Sequence, residues 1–195
     1  MKQAELLREL LQEIDQVPDH QVQEIIAGER GHLVAVQSVR MGIATWAVHH
    51  PVPIQNVPLI QARGSARVLA RSILSEDPME ATIGLASLNS MLPSPPAHQL
   101  QSIKAQELIV RCGRGKKVAV IGHFPFVEEL ADEFSHLWIL EKSPRPGDIK
   151  AEEAPHILPL ADLVAISATT LANGTLAEIL SCCSTMAKKV MLGPS

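Results

Sequence analysis

The sequence lacks the features of a disulfide-stabilised, membrane-spanning or nucleic-acid-binding protein. Its three cysteines, two of them adjacent (Cys182 and Cys183), do not form a disulfide framework. No apolar run reaches the roughly 20 residues that cross a bilayer, and acidic residues interrupt the N-terminal segment where a secretory signal needs an apolar core. The net charge is −4, and its one basic cluster (residues 111–117) is short, so neither nucleic acid nor a membrane is expected as a partner. We therefore expect a soluble cytoplasmic protein.

The first half of the chain predicts an α+β domain. An apolar stripe formed by Leu7, Leu10, Leu11 and Ile14 indicates a helix that ends before Pro18. Three apolar runs, at residues 22–27, 33–39 and 43–48, predict a β-meander. A second helical stripe covers residues 66–74. Asp77 and the proline after it then begin a helix that is apolar on nearly every side, which predicts that it is buried.

The second half predicts a parallel sheet. Three prolines within residues 93–96 favour an extended connector, so we place the domain junction there, with domains at 1–95 and 96–195. Beyond it, short apolar runs alternate with helical segments, a pattern typical of parallel strands with right-handed crossovers. One of these helices is predicted with Pro125 near its first turn. The predicted strands cover residues 118–121, 137–140, 163–166 and 190–192.

Ligands of open parallel sheets bind at the carboxyl ends of the strands, where helix N-termini and backbone amides converge. Because an imidazole can exchange a proton near neutral pH, His123 is a candidate catalytic residue. Glu141, at the end of the next predicted strand, is the second candidate catalytic residue. Structural roles in helix capping or backbone hydrogen bonding stay open for the same side chains. The candidate ligand-binding residues are Asn89, Gly122, Pro125, Asp148, Thr169, Thr170, Asn173, Gly193 and Ser195.

No cofactor is identified by a motif. The loop that starts at Gly122 lacks two of the three glycines of the dinucleotide fingerprint, which excludes a nicotinamide or flavin dinucleotide. Glu141 nevertheless lies 19 residues after Gly122 (141 − 122), where an acid that binds ribose hydroxyls is usual, so a nucleoside-like ligand stays open. His49 and His50 point to opposite faces of an extended stretch, so no structural zinc site is expected. A catalytic metal ion that uses His123, Glu141 or Asp148 also stays open.

Five segments in order resemble a known family, the putative heavy-metal chelation family. The resemblance implies an N-terminal domain similar to the enolase N-terminal fold, then a Rossmann-like domain similar to those of methyltransferases, with a site between them. It implies condensation or hydrolysis in the synthesis of pterin-, flavin- or siderophore-like chelators. Family members continue past Ser195, so the resemblance leaves two alternatives open: the sequence is truncated there, or the protein has lost part of the wall of its site. The segments are Gly84–Asn89, Ile121–Pro125, Pro146–Asp148, Thr169–Thr175 and Leu192–Ser195.

Three functions follow as alternatives. The first is an enzyme or binder that acts on a small polar or metal-chelating molecule, with proton transfer by His123 and Glu141. The second is a metal-binding or metal-delivery protein without catalysis, in which the same two side chains are ligands. The third is a non-catalytic interaction module. The sequence leaves the oligomeric state open, including a homo-oligomer, and does not decide whether the chain is an enzyme.

Overall fold

The computed structural model describes residues 2–27, 33–46 and 64–193. The chain forms two compact units, each with its own sheet. The first comprises Met1–Ser94, Ala168–Ala177 and Gly193–Ser195, and the second comprises Pro95–Ser167 and Glu178–Leu192. The limits drawn from the sequence, 1–95 and 96–195, stay a prediction.

The helices and strands are numbered along the chain. The helices are α1 (Gln3–Asp15), α2 (Ala66–Ala70), α3 (Pro78–Met91), α4 (Ala105–Gly113), α5 (Ala154–Ile157), α6 (Thr169–Ala172) and α7 (Leu176–Cys182). The strands are β1 (Glu24–Ala27), β2 (Leu33–Gln37), β3 (Met41–Thr45), β4 (Lys117–Ile121), β5 (His136–Glu141), β6 (Ile149–Lys150), β7 (Leu163–Ser167) and β8 (Lys188–Leu192). Within the described residues, no helix is both long and apolar enough to span a bilayer.

The sheet of the first unit is antiparallel, in the order β1-β2-β3, which confirms the predicted meander. Alternate residues of β2 and β3 are buried, as the two-residue period of a strand with one covered face requires. A Cβ built on Gly42 of β3 would lie 2.1 Å from the carbonyl oxygen of Ala86 in α3. The absence of a side chain at Gly42 therefore lets α3 pack directly on the sheet.

Helix α3 begins and packs as its sequence predicts. The carboxylate of Asp77 accepts the backbone N–H of Met79 at 2.7 Å, and Pro78 occupies the first turn, where its missing N–H costs nothing. Its buried hydroxyls donate to backbone carbonyls: Ser87 to Ala66 at 2.8 Å, and Ser90 to Ser87 at 2.7 Å. The polar groups of this helix are therefore satisfied without breaking the core.

The sheet of the second unit is parallel throughout, in the order β6-β5-β4-β7-β8. The chain adds strands on one side from β4 to β6, then returns to the other side for β7 and β8. The direction of growth therefore reverses between β4 and β7, and such switch points are where open parallel sheets bind ligands. Strand β6 was not predicted, because a two-residue strand leaves no periodic pattern in the sequence.

One predicted helix of this unit is wrong. The segment after Pro125 does not begin an α-helix. Instead, the amide of Val127 donates to the carbonyl of Phe124 at 3.0 Å, and a 3₁₀ helix follows at Glu128–Glu133. Val127 is fully buried, and Leu130 packs on the same core cluster. Apolar residues three apart fit the three residues per turn of a 3₁₀ helix, which explains the tighter winding.

Candidate functional site

Gly122 directly follows β4 and sets the path of the loop that carries His123. Its φ is +98°, a conformation that glycine adopts without the strain a side chain would bring. A Cβ there would also lie 3.0 Å from the Cβ of Ser167, at the end of the neighbouring strand β7. The chain can therefore turn at the switch point of the sheet only because residue 122 has no side chain.

His123 lies in this loop with its imidazole 8% exposed. Its Nδ1 atom is 3.4 Å from Oδ1 of Asp148, whose side chain is 2% exposed. This distance is within ion-pair range, but Nδ1 is buried and makes no hydrogen bond with any described residue. Catalytic hydrogen bonds are often long before a ligand binds and shorten in the complex. The arrangement is thus a buried imidazole with a buried carboxylate beside one ring nitrogen.

A tight turn places Asp148. The amide of Asp148 donates to the carbonyl of Arg145 at 3.0 Å, and the amide of Arg145 donates to Oδ2 of Asp148 at 3.0 Å. Pro146 and Gly147, which has φ +98°, occupy the central positions, as in a type II turn. With Oδ2 held by the turn, Oδ1 is left on the side of His123.

Glu128 lies on the other side of the ring. Its Oε1 is 3.5 Å from Nε2 of His123, and its side chain is 68% exposed. His123 therefore stands between a buried carboxylate and an exposed one. Sequence reasoning did not identify Glu128, which lies in the segment that was predicted to form a helix after Pro125. The signal that could have identified Glu128 is the pair of acidic residues, Glu128 and Glu129, that directly follows the His123 loop.

Glu141 fixes the backbone on which His123 sits. Its Oε1 accepts the N–H of His123 at 2.7 Å, and its Oε2 accepts the N–H of Lys142 at 3.0 Å. Both oxygens are therefore engaged by the loops that follow β4 and β5. The structure brings His123, Glu141 and Asp148 together, as expected from their places at strand ends. A catalytic role for Glu141 stays a prediction, and its contacts are those of a positioning residue.

Two family models match the chain, and both carry the description "Putative heavy-metal chelation". One matches residues 8–92 and the other residues 104–195. The chain belongs to this family. An uncharacterized protein of Methanocaldococcus jannaschii is 30% identical over 126 residues, which are 62% of this chain and 49% of that protein. The chain thus spans about half the length of the curated relative it matches.

Solved structures of the family share the fold. A crystal structure of a DUF364-family protein of unknown function from Desulfitobacterium hafniense DCB-2 has a TM-score of 0.79 and 29% identity, and the match covers 98% of this chain and 77% of that one. A second, from Pyrococcus horikoshii, has a TM-score of 0.74 and 23% identity, and covers 100% of this chain and 79% of that one. Both are described as proteins of unknown function, so they establish the architecture and leave the activity open.

The family description raises the question of a bound metal. Among residues 2–27, 33–46 and 64–193, no group of three or more His, Cys, Asp or Glu side chains is arranged to hold a metal ion. The group around His123 illustrates why. Asp148 lies beside Nδ1 and Glu128 beside Nε2, so the two carboxylates lie near different nitrogens of the ring. The described residues around His123 therefore do not form a preassembled site of three or more metal ligands.

Most of the remaining candidate residues make structural hydrogen bonds, belong to the first unit or lie outside the described residues. The amide of Asn89 donates to the carbonyl of Ile43 at 3.0 Å, and Oδ1 of Asn173 accepts the N–H of Thr175 at 3.2 Å. Asn89, Thr169, Thr170, Asn173 and Gly193 belong to the first unit, and their ligand-binding roles stay predictions. Pro125 is exposed in the His123 loop. Ser195, His49 and His50 lie outside the described residues.

Proposed function

We propose that the second unit binds a small polar molecule at the carboxyl edge of its sheet and that His123 transfers a proton on that molecule. The observation that carries the proposal is the buried His123 imidazole beside the buried carboxylate of Asp148, next to the point where strand growth reverses. Ligands of open parallel sheets bind at such points. A histidine held by a carboxylate is a recurring acid–base device in unrelated enzymes.

The same proposal includes the finer fold assignment. The strand order β6-β5-β4-β7-β8 is 3-2-1-4-5 when renumbered along the second unit, which is the order of the first five strands of a Rossmann fold. We therefore take the second unit as Rossmann-like. The three antiparallel strands and the helices of the first unit support the likeness to an enolase N-terminal domain.

Each residue of the group then has a distinct part in the chemistry. His123 accepts or donates the proton through Nε2, the ring nitrogen on the side of the exposed Glu128. Asp148 orients the ring from Nδ1 and stabilises the imidazolium once the proton has arrived. Glu141 holds the backbone in place through the N–H of His123. Condensation and hydrolysis both require such a proton transfer. The family description, heavy-metal chelation, supports a metal-chelating compound as substrate, and a pterin-, flavin- or siderophore-like structure for that compound is part of the proposal.

A thermal-shift screen of polar heterocycles and chelators tests the proposal. Wild type, His123→Gln and His156→Gln are compared. His156 is a matched control, because it lies 3.2 Å from the carboxylate of Glu153 in the same unit but is 78% exposed. A ligand at 100 times its Kd stabilises the folded protein by about 2.7 kcal/mol. We expect hits that shift wild type and His156→Gln but not His123→Gln. Hits that shift all three proteins equally would place the site elsewhere.

Turnover of a hit is then followed by mass spectrometry. Positioned acid–base groups contribute roughly 10²- to 10⁴-fold to rate, so we expect a fall of about that size in His123→Gln. The Asp148→Asn variant is expected to fall less, because the imidazole remains but loses the partner of its charged form. Equal rates in wild type and His123→Gln would contradict the acid–base role.

A second candidate is a metal-binding or metal-delivery protein without turnover. The observation that favours it is the family's own description, heavy-metal chelation. It predicts stoichiometric uptake of a first-row divalent metal that falls when His123 or Glu141 is replaced by alanine. Calorimetry with each metal tests this, and the absence of binding by the wild-type chain would remove the candidate.

A further inference from the structure

Several backbone amides around His123 already donate hydrogen bonds within the protein. The N–H of Gly122 donates to the carbonyl of Leu140 at 3.0 Å, and that of Val127 donates to Phe124 at 3.0 Å. Residue 125 is a proline and has no N–H. Phosphate sites at the edges of parallel sheets depend on free amides of this kind, followed by a helix N-terminus.

Glu141 removes two further amides. It accepts the N–H groups of both His123 and Lys142, one from each of the loops that follow β4 and β5. The segment after the His123 loop is a short 3₁₀ helix with Glu128 and Glu129 in its first turn, which repels an anion. Four amides of the two loops are thus satisfied internally, and the helix that follows carries acidic residues where a phosphate site needs a positive helix end.

The side chains around the imidazole are acidic. Glu128 and Asp148 lie 3.5 and 3.4 Å from its two nitrogens, and Glu141 holds its backbone. Lys142 and Arg145 are exposed on the loop after β5. No lysine or arginine in the described part of the chain forms a salt bridge with these three carboxylates. Within the described residues, these carboxylates therefore have no lysine or arginine as a counterion.

A second, independent feature points to a ligand. Nδ1 of His123 has no hydrogen bond with any described residue, although the imidazole is only 8% exposed. A buried polar atom without a hydrogen bond costs free energy, and native proteins contain few such atoms, some of them at catalytic sites or at sites that take up a water or an ion. Carboxylates on both sides of this ring favour a positively charged ligand group beside it.

We propose that the molecule bound at His123 presents a cationic N–H donor group, such as an amidinium, a guanidinium or a protonated amine, and that phosphates and nucleotides are not its ligands. The cation donates to the carboxylate of Glu128, and its approach to Nε2 shortens the contact between Nδ1 and Asp148. This inference rests on the proposed function, because it names the substrate class of that same site.

The test is a titration of the full chain, labelled with ¹³C and ¹⁵N at histidine, followed through the imidazole signals of His123. These signals are assigned by their loss in His123→Gln. The probes are benzamidine, guanidinium, inorganic phosphate, adenosine monophosphate and zinc chloride. We expect saturable shifts of the His123 signals with benzamidine or guanidinium. Binding should weaken roughly fivefold in Glu128→Gln, the size expected of one exposed charge pair. The matched control, Glu129→Gln, should bind as the wild type does.

The outcomes separate this inference from the proposed function. Saturable shifts with phosphate or adenosine monophosphate, and none with the organic cations, would overturn the inference and leave the acid–base site standing. A response to zinc alone, or no saturable response to any probe, would also overturn it. The proposed function fails separately, if ligands found by thermal shift leave the His123 signals unchanged.

Discussion

Replacing Glu141 with glutamine tests whether this side chain holds the His123 loop. The carboxylate accepts two backbone N–H groups, from His123 at 2.7 Å and from Lys142 at 3.0 Å. Glutamine has nearly the same shape but only one acceptor oxygen. Its NH₂ group would therefore face one of the two backbone donors, which loses one hydrogen bond and leaves an unfavourable donor–donor contact.

The expected loss follows from these two bonds. Hydrogen bonds to charged acceptors contribute roughly 1.5–3 kcal/mol when buried. Glu141 is only half-buried and Lys142 is exposed, which reduces that figure through solvent screening. We therefore expect Glu141→Gln to destabilise the second unit by about 1–2 kcal/mol. At a slope of about 2 kcal/mol per molar, the urea midpoint would fall by about 0.5–1 M.

Amide hydrogen exchange supplies a local measurement beside urea unfolding. A loss of this size should speed exchange at the His123 N–H by about 5- to 30-fold. Glu129→Gln is the control, because it removes an exposed acid from the neighbouring 3₁₀ helix. If Glu141→Gln matches both the wild type and this control in midpoint and exchange rate, the positioning role of Glu141 is refuted.

Three further predictions concern other positions. Gly122→Ala should destabilise the second unit by about 1–3 kcal/mol in urea unfolding, because its φ is +98° and its Cβ would crowd Ser167; an unchanged midpoint would contradict this. Burial raises the pKa of Asp19, but hydrogen bonds from Ser65 and two backbone amides outweigh it, so its net pKa lies below the ordinary 3.8. The stability that Asp19 adds is therefore present at neutral pH and lost as the pH falls below 3.8, and the gap in urea midpoint between wild type and Asp19→Asn should narrow there. Burial raises the pKa of Cys183, so at pH 8 iodoacetamide should alkylate it more slowly than in the urea-unfolded chain, as followed by peptide mass spectrometry; equal rates would contradict this.

Local signals in the sequence predicted the fold where they agreed with one another. Asp77 before Pro78 is a strong helix start, and the apolar residues that follow indicate a buried helix, which is what α3 is. The alternation of short apolar runs and helices likewise predicted the parallel sheet. The prediction of an α-helix after Pro125 was wrong because a proline near a helix start also fits a turn. Whether the chain then winds as α or 3₁₀ depends on how Val127 packs.

The candidate site was predicted by topology and not by spacing. His123, Glu141 and Asp148 are separated along the chain. His123 follows β4, Glu141 is the last residue of β5, and Asp148 directly precedes β6, so the parallel arrangement brings all three to one edge of the sheet. The partner of each side chain could not be predicted. That Glu141 turns both oxygens to backbone amides, and that Glu128 reaches Nε2, depend on loop conformations that no local pattern encodes.

The central claim is that His123 and Asp148 form the ligand-binding group of the second unit. A crystal structure with a ligand from the thermal-shift screen tests it most directly. We predict ligand density within hydrogen-bond distance of Nε2 of His123, at the carboxyl edge of the parallel sheet, with the contact between Nδ1 and Asp148 shortened below 3.4 Å. A ligand bound at the opposite edge of the sheet, with His123 and Asp148 unmoved, would contradict the account.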